Sequence, residues 1–329
     1  MLDPLPPLLE VEGLQKHFPL KGGLFGRKSG CVRAVDGISF RAESGEALGI
    51  VGESGCGKST AGKAIVRLIE PTGGTVRLLG VDITKLPHRA LHDHRRHMQM
   101  VFQDPYSSLN PKLTAGAIVG EPFINYGILS TRERKERVAA LFERVGLRPE
   151  HMVKYPHEFS GGQRQRLGIA RALALEPKLI IADEPVSALD VSVQAQVINL
   201  LVRLQDELGL TYLFIAHALG VVRHISHRVA VMYLGRIVEL APTEALFKEP
   251  LHPYSQALLE AAPIPDPERK HRRMVLAGEV PSPINPPSGC HFHARCPFVS
   301  DRCRVEEPKF ITVASGRSVA CHLHDRPFQ

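Results

Sequence analysis

The stretch Gly52-Glu53-Ser54-Gly55-Cys56-Gly57-Lys58-Ser59-Thr60 combines residue types that together can hold phosphate. Its glycines let backbone amides approach an anion closely, and a helix opening at Lys58 adds the unpaired amides of its own N-terminus. In such a loop the Lys58 ammonium reaches the β- and γ-phosphates and the Ser59 hydroxyl holds Mg²⁺. The alternative is a purely structural glycine turn, which the strand before the loop and the helix after it disfavour.

Three more chemically capable positions stand directly after short apolar runs. Gln103 follows Met98 to Phe102, Asp183-Glu184 follow Leu179 to Ala182, and His217 follows Thr211 to Ala216. Strand ends are where ligand contacts gather in α/β sheets, and Lys58 follows such a run as well. The adjacent carboxylates suit Mg²⁺ and water chemistry, one holding the metal while the other polarises the nucleophile. Phe159-Ser160-Gly161-Gly162-Gln163 places a capping residue and two glycines before a helix, a second N-terminus open to an anion. Phe18 is the aromatic candidate for stacking on adenine, with an ordinary edge role equally open.

The elements that position these residues are legible as alternating periods. Leu8 to Phe18 and Val32 to Arg41 read as strands around an exposed basic insert, Lys21 to Gly30. Ala47 to Val51 is a glycine-bounded buried strand, followed by a helix from Lys58 to Ile69 with Ala61, Ala64, Ile65 and Leu68 inward, then a strand from Thr75 to Leu79. From Asn110 to Pro156 the pattern is helical, with Val138, Leu141, Phe142 and Val145 on one face. A helix from Gln163 to Leu175 and another from near Val191, with Ala195, Ile198, Leu201 and Leu204 inward, frame the carboxylate pair. Arg228 to Tyr233 and Ile237 to Leu240 form a hairpin around Gly235.

Composition bounds the reading without deciding it. The chain has 329 residues and 43% hydrophobic content, enough for a packed core, and its net charge of +7 is spread along the chain. Pro4, Pro6 and Pro7 interrupt the start where a signal peptide needs an unbroken apolar run, so a cytosolic protein is expected. The longest uncharged apolar stretch, Leu208 to Val222, falls short of the ~20 residues that span a bilayer, and any membrane role is expected to use a partner.

The glycine loop, a Walker A motif, together with Gln103, Ser160 to Gln163, Asp183-Glu184, Ser187-Ala188-Leu189-Asp190 and His217, in this order, resembles an ATP-binding cassette (ABC) ATPase from about Leu8 to Pro250. The resemblance implies an α/β P-loop NTPase fold with a RecA-like parallel-sheet core, an antiparallel β layer and a helical subdomain at about 105–165. It implies Gln103 as the Q-loop, Ser160, Gly161, Gly162 and Gln163 as the signature that caps ATP on a partner cassette, and Asp190 as the end of the D-loop. Ser59, Gln103 and Asp183 become the Mg²⁺ ligands, Glu184 the catalytic base and His217 the switch histidine.

Phe102-Gln103-Asp104-Pro105-Tyr106-Ser107-Ser108-Leu109-Asn110-Pro111, His252-Pro253-Tyr254 and Arg295-Cys296-Pro297 are similar to the ATPase subunits of dipeptide and oligopeptide importers. That family implies a peripheral protein on the cytoplasmic face of the cell membrane. Its partners there are two permeases, a second and usually different ATPase, and an extracytoplasmic substrate-binding protein, without nucleic acid. Two departures stand out: Phe159 opens the signature where leucine is usual, and Ala218 follows the switch histidine where aspartate is usual. A soluble cassette of DNA repair or chromosome organisation is the alternative from another class, disfavoured because only a compact helical stretch separates Gln103 from Ser160. A nickel or other small-solute importer is the alternative within the class, and an electron-transfer module built on the tail cysteines is a third.

Beyond Pro250, over 251–329, the composition turns to proline around a basic run, Arg269 to Arg273, and a linker or wrapping segment with few apolar runs is expected. It ends in Cys290, Cys296, Cys303 and Cys321, spaced by five, six and seventeen residues, far from Cys31 and Cys56. Disulfides are not expected in the cytosol. Four thiolates could bind iron–sulfur or zinc, with His291, His293, His322 and His324 keeping zinc open, or stay unligated. Some members of the peptide-importer family carry a [4Fe-4S] cluster at such a tail.

Overall fold

A computed structural model describes residues 6–20, 30–104, 106, 108–261 and 281–325. Residues 21–29 of the basic insert, the run Arg269 to Arg273 with Pro263, Pro265 and Pro267, and Pro105 and Ser107 lie outside the described residues. In chain order the elements are β1 (Leu9–Pro19), β2 (Cys31–Ala42), β3 (Ala47–Val51), α1 (Lys58–Ile65), β4 (Gly73–Leu78), β5 (Val81–Asp82), α2 (His88–Arg95), β6 (Met98–Val101), α3 (Ala115–Tyr126), α4 (Thr131–Arg144), α5 (Gly161–Leu173) and β7 (Leu179–Asp183). They continue as α6 (Val191–Leu208), β8 (Thr211–Ile215), α7 (Leu219–Ile225), β9 (Arg228–Tyr233), β10 (Arg236–Pro242), α8 (Thr243–Lys248), α9 (Pro253–Ala261), α10 (Asp301–Val305), β11 (Ile311–Ala314) and β12 (Arg317–Val319). The chain divides into two compact units, one taking Glu43–Glu46 and Lys85–Phe214, the other Leu9–Ala42, Ala47–Thr84 and the residues from Ile215 onward.

The second of these units carries the phosphate loop. β1 pairs antiparallel with β2 and β4, giving the strand order β2-β1-β4-β5. β3, all five of whose residues are buried, pairs in parallel with β9 from Leu48↔Arg228 to Val51↔Val231. β9 turns back into β10 through Leu234 and Gly235, whose φ values of 43° and 79° are the pair of left-handed residues that a two-residue hairpin requires. The tail is more than a wrapping segment. β12 pairs antiparallel with β10 at Glu239↔Val319 and Leu240↔Ser318, β11 adds to β12, and Phe292 and Val319 are buried. The helix at Lys58 is also shorter than expected: it ends at Ile65, because Arg67 adopts φ 53°, and Leu68 is 52% exposed rather than inward.

In the first unit β6 and β7 run parallel, from Met98↔Leu179 to Val101↔Ala182, with β8 on the other side of β7. The helical stretch between them begins with α3, capped by Thr114, and α4, where Ser130 and Glu133 form a reciprocal capping box. α4 buries Val138, Leu141 and Phe142, and Val145 just beyond its end is buried too. α6 buries Val197, Ile198, Leu200, Leu201 and Leu204. Its first turns are open, so Ala195, expected inward, is exposed.

Candidate functional site

The phosphate loop joins β3 to α1 and its path demands glycine at both ends. At Gly52, φ is 154° and a Cβ would stand 2.2 Å from the Met232 carbonyl oxygen; at Gly57, φ is 108° and a Cβ would stand 1.9 Å from that of Ala34. No side chain fits either contact. Lys58 is buried, and its ammonium donates to the carbonyl oxygens of Gly52 at 2.8 Å and Glu53 at 3.0 Å. The loop's own backbone thus holds this cation at the N-terminus of α1, beside the amides that would meet an anion. Cys56 lies 3.8 Å from the same nitrogen, and burial pushes its thiol up. Phe18 is on β1, 39% exposed, with the Lys16 ammonium 4.9 Å from its ring centroid.

In the other unit, two of the strand-end residues meet. Gln103, after β6, donates from Nε2 to Glu184 Oε2 at 2.9 Å. Glu184 is held at φ 47°, in the left-handed region that L-residues seldom occupy, and its carbonyl accepts from the Ser187 amide at 3.2 Å and hydroxyl at 3.1 Å. Strain of this kind persists where surrounding contacts fix it, here the two Ser187 bonds to the carbonyl and the Gln103 bond to the carboxylate. Asp183, the last residue of β7, is buried at 3% exposure, so the adjacent carboxylates occupy different environments.

The signature sequence opens α5 as a reciprocal cap. Ser160 Oγ accepts from the Gln163 amide at 3.3 Å while Gln163 Oε1 accepts from the Ser160 amide at 3.0 Å. At Gly162 a Cβ would stand 2.3 Å from Val193 of α6, so this glycine brings the two helices together. Phe159 is buried and meets His151 edge-on, so the aromatic that replaces leucine is a packing residue. Downstream on α5, Arg171 donates to the Ser108 carbonyl at 2.6 Å and Arg164 stacks over Tyr106 at 4.9 Å, tying the segment after Gln103 to the signature helix. Asp190 caps α6, accepting from the Val193 amide at 3.0 Å and the Ser192 hydroxyl at 2.7 Å, and these bonds, the latter foremost, hold its carboxyl below the usual range.

His217 is exposed just beyond β8. Ala218 is the N-cap of α7 and provides no side-chain acceptor, which is the service that aspartate would perform there. The tail cysteines Cys290, Cys296, Cys303 and Cys321 line one cavity of about 80 Å³, with His252, Phe292, His293 and His322 in the same wall. Burial pushes the Cys290 thiol up to about 11 and that of Cys321 up to about 12, so both are protonated at neutral pH as they stand. Among the described residues no three His, Cys, Asp or Glu side chains are already placed as a metal-ligand set.

Comparison with known proteins matches two stretches of the chain. Residues 35–187 match the ABC transporter family, and residues 238–303 match the oligopeptide/dipeptide transporter C-terminal region. A probable peptide ABC transporter ATP-binding protein of Sinorhizobium fredii is 60% identical over 96% of this chain and 90% of its own length. The oligopeptide transport ATP-binding protein AppF of Bacillus subtilis is 56% identical over 96% of this chain and 97% of its own. The chain belongs to the ATP-binding proteins of peptide ABC transporters. The dipeptide transport ATP-binding protein DppF of Haemophilus influenzae is 50% identical over 96% of both chains. Among solved structures, the ATP-binding cassette MJ0796, as a post-hydrolysis dimer bound to ADP and Pi, superposes with a TM-score of 0.64 at 30% identity, over 71% of this chain and 98% of that one. The fold is therefore that of an ABC cassette, an α/β ATPase fold, and this ATPase family works with ATP and Mg²⁺.

Proposed function

We propose that this chain is the ATP-hydrolysing subunit of an importer for dipeptides or oligopeptides, acting with two permeases, a second cassette and a substrate-binding protein. What carries the peptide reading is the presence in one chain of both the cassette, matched over 35–187, and the oligopeptide/dipeptide C-terminal region, matched over 238–303. Transport relatives along 96% of the chain favour it over the DNA-repair alternative. Among the described residues no helix is long and apolar enough to cross a membrane. By analogy with the transport relatives we place the chain at the cytoplasmic face as a peripheral subunit, with the cassette over 8–250, its helical part at about 105–165, and the extension over 251–329.

Phosphoryl transfer to water is mostly positioning and charge stabilisation, and each residue has a task of that kind. Lys58 would exchange the Gly52 and Glu53 carbonyls for phosphate oxygens and neutralise developing charge. Glu184 would accept a proton from, and orient, the attacking water, with Gln103 fixing its carboxylate and, with His217, sensing the γ-phosphate. Ser160 to Gln163 would cap ATP bound to the partner cassette. The hard oxygen donors of Ser59, Gln103 and Asp183 suit Mg²⁺, which when bound neutralises phosphate charge.

Reconstitution tests the assembly. Vesicles holding the chain with its permeases should hydrolyse ATP at least fivefold faster when a peptide-loaded binding protein is supplied outside, and should accumulate that peptide. Stimulation by nickel and by no peptide would move the cargo, and absence of ATP hydrolysis in every condition would overturn the reading.

For the tail we propose that Cys290, Cys296, Cys303 and Cys321 hold a [4Fe-4S] cluster, with zinc as the alternative. Their shared cavity supports it, and soft thiolates suit either group. Metal binding would release the protons now on Cys290 and Cys321. After anaerobic purification iron is expected, and serine at any of the four should remove it while Cys31→Ser and Cys56→Ser leave it unchanged. One zinc per chain excludes the cluster, and no metal excludes both.

A further inference from the structure

We propose that the C-terminal extension is part of the nucleotide site: Arg295 is a positioning residue that, together with Tyr254, fixes Glu53 of the phosphate loop and sets the affinity for ATP. The proposal rests on the reading of Gly52 to Thr60 as an ATP loop. The two sequence signatures that the cassette alone leaves without a task, His252-Pro253-Tyr254 and Arg295-Cys296-Pro297, converge on this one residue.

Glu53 is held at three points. Its amide donates to the Tyr254 hydroxyl at 2.8 Å, its carbonyl accepts from Lys58 at 3.0 Å, and its two carboxylate oxygens accept from the two terminal nitrogens of Arg295 at 2.8 and 3.0 Å. The Tyr254 and Arg295 partners come from far along the chain, 201 and 242 residues away. The Arg295 side chain is 7% exposed and that of Glu53 26%, so the pair is forked, hydrogen-bonded and largely shielded from salt. Arg295 and Tyr254 share one support. Phe292 is 1% exposed and meets the rings of Tyr233, Tyr254 and His252 at 5.3, 5.5 and 5.7 Å, while Tyr233 meets Tyr254 at a tilt with centroids 4.7 Å apart. The turn between Cys290 and Cys296 thus presses on the residue that grips the Glu53 amide and also supplies the cation on its carboxylate.

The charge logic makes the clamp a matter of binding as well as of architecture. A carboxylate in a loop that must receive a polyanion repels it unless that charge is neutralised nearby. Arg295 neutralises it, and because Glu53 also supplies a carbonyl to Lys58, a shift of Glu53 would displace the cation that is to meet the phosphates. Loss of Arg295 leaves a partly buried carboxylate without its counter-ion.

The test compares full-length wild type, Arg295→Met, Glu53→Gln and the double variant in titrations with ATP, together with KM and kcat for hydrolysis. Arg295→Met is expected to weaken ATP binding by about tenfold or more at low salt and by less at high salt, raising KM while kcat stays within about threefold. Adding Glu53→Gln should restore affinity to within about threefold of wild type, because no carboxylate then remains to repel the nucleotide. A role confined to anchoring the tail would leave the double variant as weak as Arg295→Met, and that result overturns the proposal, as does Arg295→Met binding within twofold of wild type. If Arg295→Met does not fold, Arg295→Lys, which keeps the charge but loses the fork, should bind about three- to fivefold more weakly, and wild-type affinity there overturns the proposal. Wild type and Lys58→Ala binding ATP equally, or neither binding it, would instead overturn the parent reading of the loop.

Discussion

Glu184→Gln lowers ATP turnover by roughly 100-fold or more while ATP binding stays intact, the loss expected when a positioned general base is removed. The amide preserves the shape, and its oxygen can still accept the 2.9 Å hydrogen bond that Gln103 Nε2 donates to the carboxylate. The backbone at φ 47° and the two bonds from Ser187 to the residue 184 carbonyl do not depend on the side chain. What disappears is the negative charge that, in the proposed role, would orient a water and take its proton. Single-turnover hydrolysis and nucleotide titration on the same preparation check it. Turnover within about threefold of wild type with normal binding would remove Glu184 from that role and pass it to Asp183, whose burial suits a metal ligand better than a base.

The parts of this site made by contiguous residues are legible in the amino-acid sequence alone. Short apolar runs bounded by glycine or proline mark β3, β7 and β8, and Ser160 ahead of two glycines marks the N-cap of α5. Local signals fail where a competing contact decides the backbone. α1 stops at Ile65 because Arg67 takes a left-handed conformation and donates to the Ile83 carbonyl, and neither fact has a signature in the helical period. α2 buries only Leu91 within a run of histidine and arginine, too little to mark an amphipathic helix. β11 and β12 form because β10 offers them an edge, a long-range pairing that four- and three-residue strands cannot announce. The same limit hides the Glu53–Arg295 pair: both motifs are visible, but nothing in either states that 242 residues of chain return the second to the first.

Gly57→Ala is expected to weaken ATP binding by at least ~100-fold, and Gly55→Ala by far less, although both residues have positive φ. At Gly55, φ is 79° and nothing lies within 4 Å of where a Cβ would stand, so alanine meets only the intrinsic penalty of a left-handed conformation, about 1–2 kcal/mol. That corresponds to at most about thirtyfold if the whole penalty appears in binding. At Gly57, φ is 108° and the Cβ would stand 1.9 Å from the backbone oxygen of Ala34, with Met232 Cε at 3.0 Å. The Met232 side chain can move aside, but the Ala34 carbonyl is β2 backbone at the register shift between the Lys16↔Val35 and His17↔Arg33 pairs, and cannot retreat without pulling on the paired residues on either side of it. The loop must move instead. Gly57 is the N-cap of α1, so its displacement tilts the helix start, carries Lys58 away from the Gly52 and Glu53 carbonyls, and breaks the array of amides facing the phosphates. Because the change is confined to a loop and one helix terminus, the fold should persist with a lowered melting temperature, so loss of binding can be read apart from unfolding by circular dichroism on the same samples. Affinity of Gly57→Ala within tenfold of wild type, or no worse than that of Gly55→Ala, would show that contact with β2 does not govern the loop.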